Sequence, residues 1–471
     1  MKIGIIGNGI IGTTLAYRIV KFLNNSDIEV LLFGEKERIN SATTSAAAML
    51  NSFAEIEHYN LDTELDNYKF ELSQKATKMW PSFVEEIAIE SNIELLRKSF
   101  KLGTFLINNS SADSLDDLNF QAVLKKLIGH KEAYEIIDPK NIPNYLPSPR
   151  FRAQSSIYIP NEGWINPNLL LQALETILLK SSNVTLYDMK ILNIAYNSGV
   201  FSLSTDQNSK FNVDILVLAN GADMSRFDLE KIFGIKVQKL FYGVGTTIEI
   251  QSDFTHTNCI RTPNRGLACG VYSAPYVNHT TGKTNVIVGA SNFISTVPEK
   301  FGRLSSIKNL LSSAEEQINR NFYKANLLSV NVGWRPISQD TYPLIGRTSI
   351  ENLFIINGTK RDGFHFSPLI SDQLTRQILS AEKSNDFYRF APEREIFKLG
   401  NRELGIEMAV RHKLNAIYQH GFHSSDVKME EALITSINKE VSEIYDLSSI
   451  NDYAIPVEML DMYKYKHAIL K

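Results

Sequence analysis

Cysteine is scarce in this chain, since only Cys259 and Cys269 occur among its 471 residues. Two cysteines without neighbouring histidines are too few for a zinc site or a disulfide framework, so we expect two reduced thiols and no metal. Long apolar runs are also missing, because no segment approaches the ~18 consecutive apolar residues of a membrane span. The first strand pattern begins at the N-terminus, without a basic leader or a cleavage site. We therefore expect a cytoplasmic protein with no membrane span.

Neither sign of charge dominates the composition. Lys and Arg number 49, Asp and Glu number 52, and the formal net charge is −3. This balance provides no basic surface for nucleic acid and favours a small-molecule partner. The length is sufficient for two or three domains with substantial cores.

The most informative motif lies near the N-terminus. There a G-x-G-x-x-G turn of Gly7, Gly9 and Gly12 separates a strand pattern at 3–7 from a helix pattern at 13–23. In such a turn the first glycine allows the tight bend, the second lets the backbone approach a pyrophosphate, and the third lets the helix pack against the strand. The helix N-terminus then faces the phosphates. The alternative is a glycine turn without a ligand.

A second strand pattern at 28–33 ends near Glu35. A carboxylate ~20 residues beyond the glycine turn accepts hydrogen bonds from an adenosine ribose, which argues against a 2′-phosphate. The run at 40–50 then carries hydroxyl groups before a stretch of small residues, and these hydroxyl residues are Thr43, Thr44 and Ser45. They can bond pyrophosphate or ribityl oxygens, or they can form the cap of an alanine-rich helix.

Strand patterns recur far apart in the chain, and we expect one parallel sheet to unite 3–7, 28–33, 183–187, 213–219 and 353–357. Two insertions, at about 86–147 and 241–331, then build a second layer. The later insertion predicts an antiparallel sheet from 245–250, 267–274, 285–291 and 328–333, and a helix at 305–325. Charged amphipathic helices with solvated faces are predicted beyond residue 384, at 393–420, 429–445 and 463–471.

These features together resemble a known family. The glycine turn, Glu35 and the Ser-Ala-Ala-Ala-Met-Leu run look like the glycine oxidase and D-amino acid oxidase superfamily of FAD-dependent amine oxidoreductases. Three later segments are similar to the family's Ala-x-Gly-Ala turn beside the flavin, its Gly-x-Arg-Pro segment and its last strand with a glycine turn, at 213–222, 333–346 and 352–363. The resemblance runs in the family's order over about residues 1–385.

The resemblance implies an α/β fold with three parts. They are a Rossmann-like FAD-binding domain of residues 1–85, 148–240 and 332–385, an antiparallel-sheet substrate domain of residues 86–147 and 241–331, and a helical C-terminal extension of residues 386–471.

The cofactor implied is FAD. It is expected to be non-covalent, because the cysteine that attaches the flavin in sarcosine oxidase relatives is missing after the Gly-x-Arg-Pro segment. The residues implied in binding FAD are Gly7, Gly9, Ile10, Ile11, Gly12, Glu35, Thr43, Thr44, Ser45, Ala46, Met49, Ala219, Gly221, Arg361, Asp362, Gly363, Phe364 and His365.

The same resemblance implies a substrate site. Arg335 of Gly-x-Arg-Pro takes the place of the arginine that anchors a substrate carboxylate, and two parallel hydrogen bonds suit that task. A structural ion pair with Asp340 is the alternative. Tyr272 matches a tyrosine that helps hold the carboxylate, with sheet packing as the alternative, and relatives often carry arginine where Tyr276 follows.

Two further residues are implied near the flavin and the substrate. Arg361 matches a second arginine of the closest relatives. The helix that begins at 363–365 then points its N–H groups at the flavin N1 and C2 carbonyl, and this positive end favours the charge that develops there on reduction. His365 departs from the usual aliphatic residue and is either a packed histidine or a catalytic group.

The implied reaction is oxidation of the C–N bond of an amino acid or small amine to an imine by hydride transfer to flavin N5, with oxygen or another electron acceptor. One alternative is a 2-hydroxy acid dehydrogenase, which needs a base, with His365 as the candidate. Another is a flavoprotein subunit that docks a partner or a second copy through its C-terminal helices. The sequence leaves open the substrate and its stereochemistry, and the choice between oxidase and dehydrogenase.

Overall fold

The computed structural model describes residues 1–22, 27–60, 63–109, 113–266, 269–278, 281–380, 385–419, 421–422 and 426–468. Its strands are β1 (Lys2–Ile6), β2 (Glu29–Phe33), β3 (Met49–Leu50), β4 (Phe100–Asn108), β5 (Glu135–Ile136), β6 (Ser155–Ile165), β7 (Val184–Tyr187), β8 (Ile191–Asn197), β9 (Val200–Thr205), β10 (Lys210–Val213), β11 (Ile215–Leu218), β12 (Leu240–Gln251), β13 (Cys259–Arg261), β14 (Tyr272–Val277), β15 (Thr284–Gly289), β16 (Phe293–Ser295), β17 (Asn326–Ser338), β18 (Leu344–Arg347) and β19 (Leu353–Asn357). Its α-helices are α1 (Ile10–Phe22), α2 (Glu64–Ser91), α3 (Glu94–Lys98), α4 (Ser114–Gly129), α5 (Pro167–Leu178), α6 (Leu229–Phe233), α7 (Leu304–Ser313), α8 (Gly363–Leu379), α9 (Arg402–Gln419), α10 (Val427–Ser448) and α11 (Leu460–Lys464).

One sheet unites the five strands that the sequence predicts as parallel. Its order is β18-β19-β11-β1-β2-β7, and the unpredicted β18 runs antiparallel to β19 at the edge. Side chains alternate between the two faces of a strand: Ile3 and Ile5 of β1 pack under α1, α2, α5 and α8, whereas Ile6 packs with the small sheet of β8, β9 and β10 on the other face. The predicted α/β fold is confirmed, and the β8–β10 sheet was not expected.

The second sheet is mixed rather than purely antiparallel. Its order is β16-β12-β15-β14-β13-β4-β6-β3, with β17 paired to β12, and β13 runs parallel to β4. The strand expected at 267–274 lies later, as β14, because Gly270 adopts a left-handed conformation before it. The helix expected at 305–325 is α7 followed by single π and 3₁₀ turns, Ala314–Ile318 and Arg320–Lys324.

The C-terminal extension folds back onto its own chain. Its helices bury one apolar cluster against Phe241 of β12 and Ile337 of β17. The helix expected at 393–420 begins only at Arg402, because Gly400 has a positive φ of 68°. The helix expected at 463–471 is instead α11, which ends before Lys466, whose φ of 59° is left-handed. No helix in the described part of the chain is long and apolar enough to cross a bilayer.

Some bounds of the predicted elements and domains fall outside the described residues or inside a strand or helix. The residues at predicted bounds that lie outside the described ranges are Leu23, Leu267, His420 and Lys471. The predicted domain bounds at 85/86 and 331/332 fall within α2 and β17, and β3 and β6 join the second sheet from segments assigned to the FAD-binding domain. The division into domains stays a prediction.

Candidate active site

The glycine turn closes tightly against the neighbouring strand. Gly7 has a φ of 115°, and a Cβ there would overlap the backbone after β11. A Cβ on Gly12 would overlap the Gly7 carbonyl, so α1 packs as close to β1 as the motif predicts. The helix begins at Ile10 rather than Thr13, because the Thr13 N–H donates to the Gly9 carbonyl at 3.0 Å.

This turn opens into one long cavity that most of the predicted site residues line. They are Gly7, Gly9, Ile10, Ile11, Glu35, Thr43, Ser45, Ala46, Met49, Ala219, Gly221, Tyr272, Arg335, Arg361, Asp362, Gly363, Phe364 and His365. Gly12 and Thr44 are not among the lining residues. Gly12 is held inside the α1 packing, and the Thr44 hydroxyl donates back to the Ser41 carbonyl at 3.4 Å.

The lining fits the FAD that the resemblance implies. Two helices, α1 and α8, begin at the cavity wall, and a helix start has free N–H groups that suit phosphate or developing negative charge. The Thr43 hydroxyl is fixed there because it accepts from the Ile10 N–H at 3.1 Å. Asn220 adds a buried side-chain oxygen without a partner among the described residues. Glu35 stands at the outer end with a side chain 60% exposed, 3.8 Å from Lys190.

Arg335 lies on β17, and its guanidinium lies over Gly245 of β12, where a Cβ would overlap it. Its Nη1 donates to the Ser291 carbonyl at 3.2 Å and to Asn292 Oδ1 at 3.0 Å. The alternative ion pair with Asp340 is not found, because Asp340 pairs with Arg394 instead.

Arg335 differs from the other cationic side chains of the cavity wall. Each of the others has a carboxylate partner, namely Arg38 with Glu175, Lys190 and Arg226 with Asp223, Lys360 with Glu458, and Arg361 with Glu57. Among the described residues, Arg335 has no carboxylate within 4.0 Å of its nitrogens. The wall thus presents one cationic group whose charge is not balanced.

Arg361 lines the cavity as expected, but its guanidinium is paired with carboxylates. Its Nη2 lies 3.2 Å from Glu57, and its Nη1 lies 4.0 Å from Glu55. Burial acts to lower the pKa of Arg361, but these carboxylates outweigh it and raise the pKa well above its usual value. Glu55 is shared with Arg261, which is fully buried. The four side chains form a charge-balanced, partly buried cluster, so Arg361 is poorly suited to hold a substrate anion.

Tyr272 lies on β14 beside the cavity, with its ring against Gly289 of β15. Burial, chiefly, raises the pKa of its phenol, and Arg335 acts in the opposite direction. The phenol therefore stays protonated at neutral pH and can donate a hydrogen bond.

His365 lines the wall in the first turn of α8, and its Nε2 contacts Ser73 and Thr77 of α2. Nε2 lies 2.9 Å from the Ser73 carbonyl, which only accepts, so Nε2 carries the proton. Nδ1 is buried with no partner among the described residues. Burial lowers the pKa of His365, so the ring is neutral at pH 7. These contacts favour the packed histidine over the catalytic group.

The sequence did not point to several residues at the site. Glu55 carries no motif, Lys360 lies in the 352–363 segment without a role of its own there, and Asn292, which contacts Arg335, follows a strand without distinction. Gly243 and Gly245 alternate within the β12 pattern, and glycine inside a strand often marks a close approach. That signal pointed to the space that the Arg335 side chain fills.

The comparisons with known proteins identify the family and the fold. A family model described as FAD dependent oxidoreductase (DAO) matches residues 2–377. No curated protein matches the sequence. Similar solved structures include glycine oxidase from Geobacillus kaustophilus (TM-score 0.69, 19% identity, 84% of this chain and 99% of that chain) and iminodiacetate oxidase (IdaA) from Chelativorans sp. BNC1 (TM-score 0.66, 16% identity, 83% and 100%).

A third similar structure is L-proline dehydrogenase from P. horikoshii (TM-score 0.62, 16% identity, 83% of this chain and 97% of that chain). At these identities the likeness shows the fold, and the family match covers most of the sequence. The chain therefore belongs to the DAO family of FAD-dependent oxidoreductases.

Proposed function

We propose that this protein oxidises the C–N bond of an amino acid, or of a small amine that carries a carboxylate, to an imine that water then hydrolyses. The activity is of the EC 1.4.3 or 1.5.3 type. The observation that carries this proposal is Arg335, the cavity cation without a carboxylate partner among the described residues. A carboxylate substrate would supply the missing charge.

Arg335 binds the carboxylate in this proposal. Its described hydrogen bonds use Nη1, which leaves the Nε and Nη2 edge for two parallel bonds to a carboxylate. The protonated phenol of Tyr272 is the second donor. A substrate held at both groups has its Cα fixed against the wall, which is how positioning accelerates a reaction without a covalent step.

FAD, when bound, would supply an acceptor, flavin N5, for the hydride that leaves the substrate Cα. Loss of a hydride from the neutral amine leaves a protonated imine, which water hydrolyses, so the carbon–nitrogen step needs no protein base. The N-terminus of α8 favours negative charge at its end of the cavity. We propose that FAD is held non-covalently, since Ile337, Ser338 and Gln339 follow the Gly-x-Arg-Pro segment where relatives have a cysteine.

The alternative substrate, a 2-hydroxy acid, needs a base for its hydroxyl proton. His365 was the candidate, but its Nε2 is hydrogen-bonded to the Ser73 carbonyl, and burial lowers the pKa of the ring, which makes it a weaker base. Glu55 and Glu57 are engaged with arginines. The amine reaction is therefore favoured. A partner or a second copy docked through the C-terminal helices has less support, because much of their apolar surface packs on the same chain.

The proposal is tested by anaerobic absorbance at 450 nm while amino acids, amines and hydroxy acids are added in turn, followed by air. Bleaching by carboxylate-bearing amines supports it, and recovery in air identifies oxygen as the acceptor. Bleaching by hydroxy acids alone would refute the amine reaction. Release of the yellow chromophore into the supernatant on acid precipitation tests non-covalent binding.

A further inference from the structure

A group of apolar side chains lies on the solvent side of α7 and of the turn that precedes it. Phe301 and Leu304 are each 85% exposed, and Leu311 is 42% exposed. Ile39 and Val330 are also exposed, and both line one surface cleft together with Phe301. We call these five residues the apolar patch. Single exposed apolar residues are ordinary, but a group of them marks a surface that binds something.

Helix α7 distributes its side chains in the opposite way to a helix that only covers its own sheet. Its inward face carries Ser306, Leu310 and Ser313, which are buried. Its outward face carries Leu304 and Leu311, which lie seven residues apart and therefore share one side of the helix. A helix that packs on a core normally turns its leucines inward and its serines outward. Packing within this chain thus does not explain the outward leucines.

Cationic side chains surround the apolar patch. Lys300 and Arg303 lie in the turn before α7, and Lys308 is exposed on the helix. Among the described residues, none of the three has a carboxylate within 4.0 Å. The acids of this region are Glu299 and Glu37. Positive charge is therefore in excess here, although the whole chain has a formal net charge of −3.

We propose that the apolar patch docks on an anionic lipid surface, without a membrane span. Phe and Leu side chains enter the boundary between headgroups and acyl chains, while Lys and Arg reach the anionic headgroups. A second copy of the chain fits less well, because a two-fold contact places the same surface against itself. The three cations would then face their own counterparts.

Hydrogen bonds to the wall of the FAD cavity hold the turn that carries Phe301. Trp334 Nε1 donates to the Glu299 carbonyl at 2.6 Å, and Asn40 Nδ2 donates to the Lys300 carbonyl at 3.0 Å. Trp334 and Asn40 both line that cavity. The apolar patch is thus presented by a fixed turn, and a lipid surface docked there would lie beside the cofactor cavity.

The test is co-sedimentation of the full, FAD-loaded chain with lipid vesicles. One set of vesicles contains phosphatidylcholine with phosphatidylglycerol, and the other contains phosphatidylcholine alone. The protein should bind the anionic vesicles, bind the neutral ones far less, and be released as salt rises, because salt screens exposed charges. No binding to either set would overturn the inference, as would equal binding to both that salt does not weaken. Substrate is not needed, so the result does not depend on the proposed reaction.

Two double variants test the two parts of the surface. Phe301→Ser with Leu304→Ser should weaken binding to the anionic vesicles about tenfold or more. Lys300→Gln with Lys308→Gln should weaken it about twentyfold, because each basic residue near such a surface contributes a factor of about five. Leu179→Ser is the matched control, since this leucine follows α5, outside the apolar patch, and is 72% exposed. It should bind as the wild type does.

Three results with the variants would overturn the inference. Unchanged binding by Phe301→Ser with Leu304→Ser would place the contact elsewhere, and an equal loss in Leu179→Ser would mean that any exposed apolar residue has the same effect. Light scattering after gel filtration tests the second copy. A wild-type dimer that becomes a monomer in the Phe301→Ser and Leu304→Ser variant, without lipid binding, would assign the apolar patch to self-association. Melting temperature and the 450 nm absorbance show that each variant is folded and loaded with FAD.

Discussion

Replacement of Arg335 should remove most of the affinity for the transition state of a carboxylate substrate. Its Nε and Nη2 edge has room over Gly245 and has no acceptor among the described residues. Two charge-assisted hydrogen bonds on that edge contribute about 1.5–3 kcal/mol each. Arg335→Leu should therefore lower kcat/KM by about 10²–10⁴, and Arg335→Lys, which keeps the charge but not the fork, by about 10–10².

The assay compares two substrates in each variant. One is the best carboxylate substrate, and the other is the same amine without its carboxylate. Because the second has nothing for Arg335 to bind, its kcat/KM should change little, and the preference for the carboxylate should collapse. Bound FAD from the 450 nm absorbance and the melting temperature show whether the variants are folded and loaded.

Two results would refute this reasoning. Equal losses for both substrates would mean that Arg335 supports the fold or the flavin rather than the carboxylate. Unchanged kinetics with the carboxylate substrate would mean that the anion is bound elsewhere.

The Cβ added in Gly245→Ala would overlap the Arg335 guanidinium, so this variant should displace the guanidinium and lower kcat/KM about tenfold in steady-state assays. Gly129→Ala is the control, because a Cβ there meets open space, and it should leave kcat/KM unchanged. Equal kcat/KM in the two variants would contradict the geometry. His365→Leu should leave amine oxidation within about tenfold of wild type while costing about 1 kcal/mol of stability in urea unfolding, and a loss of a thousandfold with FAD still bound would make the histidine catalytic. Burial raises the pKa of Glu162 from 4.5 to about 7, so the folded state binds the extra proton and the free energy of unfolding should fall by up to about 3 kcal/mol as pH rises from about 4.5 to 7. Glu162→Gln should flatten that slope in urea unfolding at a series of pH values, and an unchanged slope would assign it to other groups.

The sequence predicts those strands and helices whose bounds are marked by a local pattern of apolar and turn residues. The run 353–357 is predicted and observed with the same bounds, because a short apolar strand between turns is a local signal. The turns that delay the start of an element were harder to anticipate. Gly270 and Gly400 adopt positive φ, and nothing in their neighbourhood distinguishes them from glycines that do not. The β8–β10 sheet was missed because β8 and β9 interleave exposed residues with buried ones and so lack the short continuous apolar runs by which the five core strands were predicted.

At the site, too, motifs predict where a residue lies, but they do not predict which distant residue it pairs with. The sequence places Arg335 in its segment and leaves Asp340, five residues away, as an alternative partner. The structure decides against that pair because Arg394 binds Asp340, and such a choice depends on chain segments that meet only after folding. Arg361 shows the opposite outcome, since the resemblance implies a place near the flavin and the substrate, whereas the fold pairs it with Glu57 from 304 residues away. The assembled fold thus determines which cation of the cavity wall lacks a carboxylate partner among the described residues. That cation is Arg335, and this is why we assign the substrate carboxylate to it.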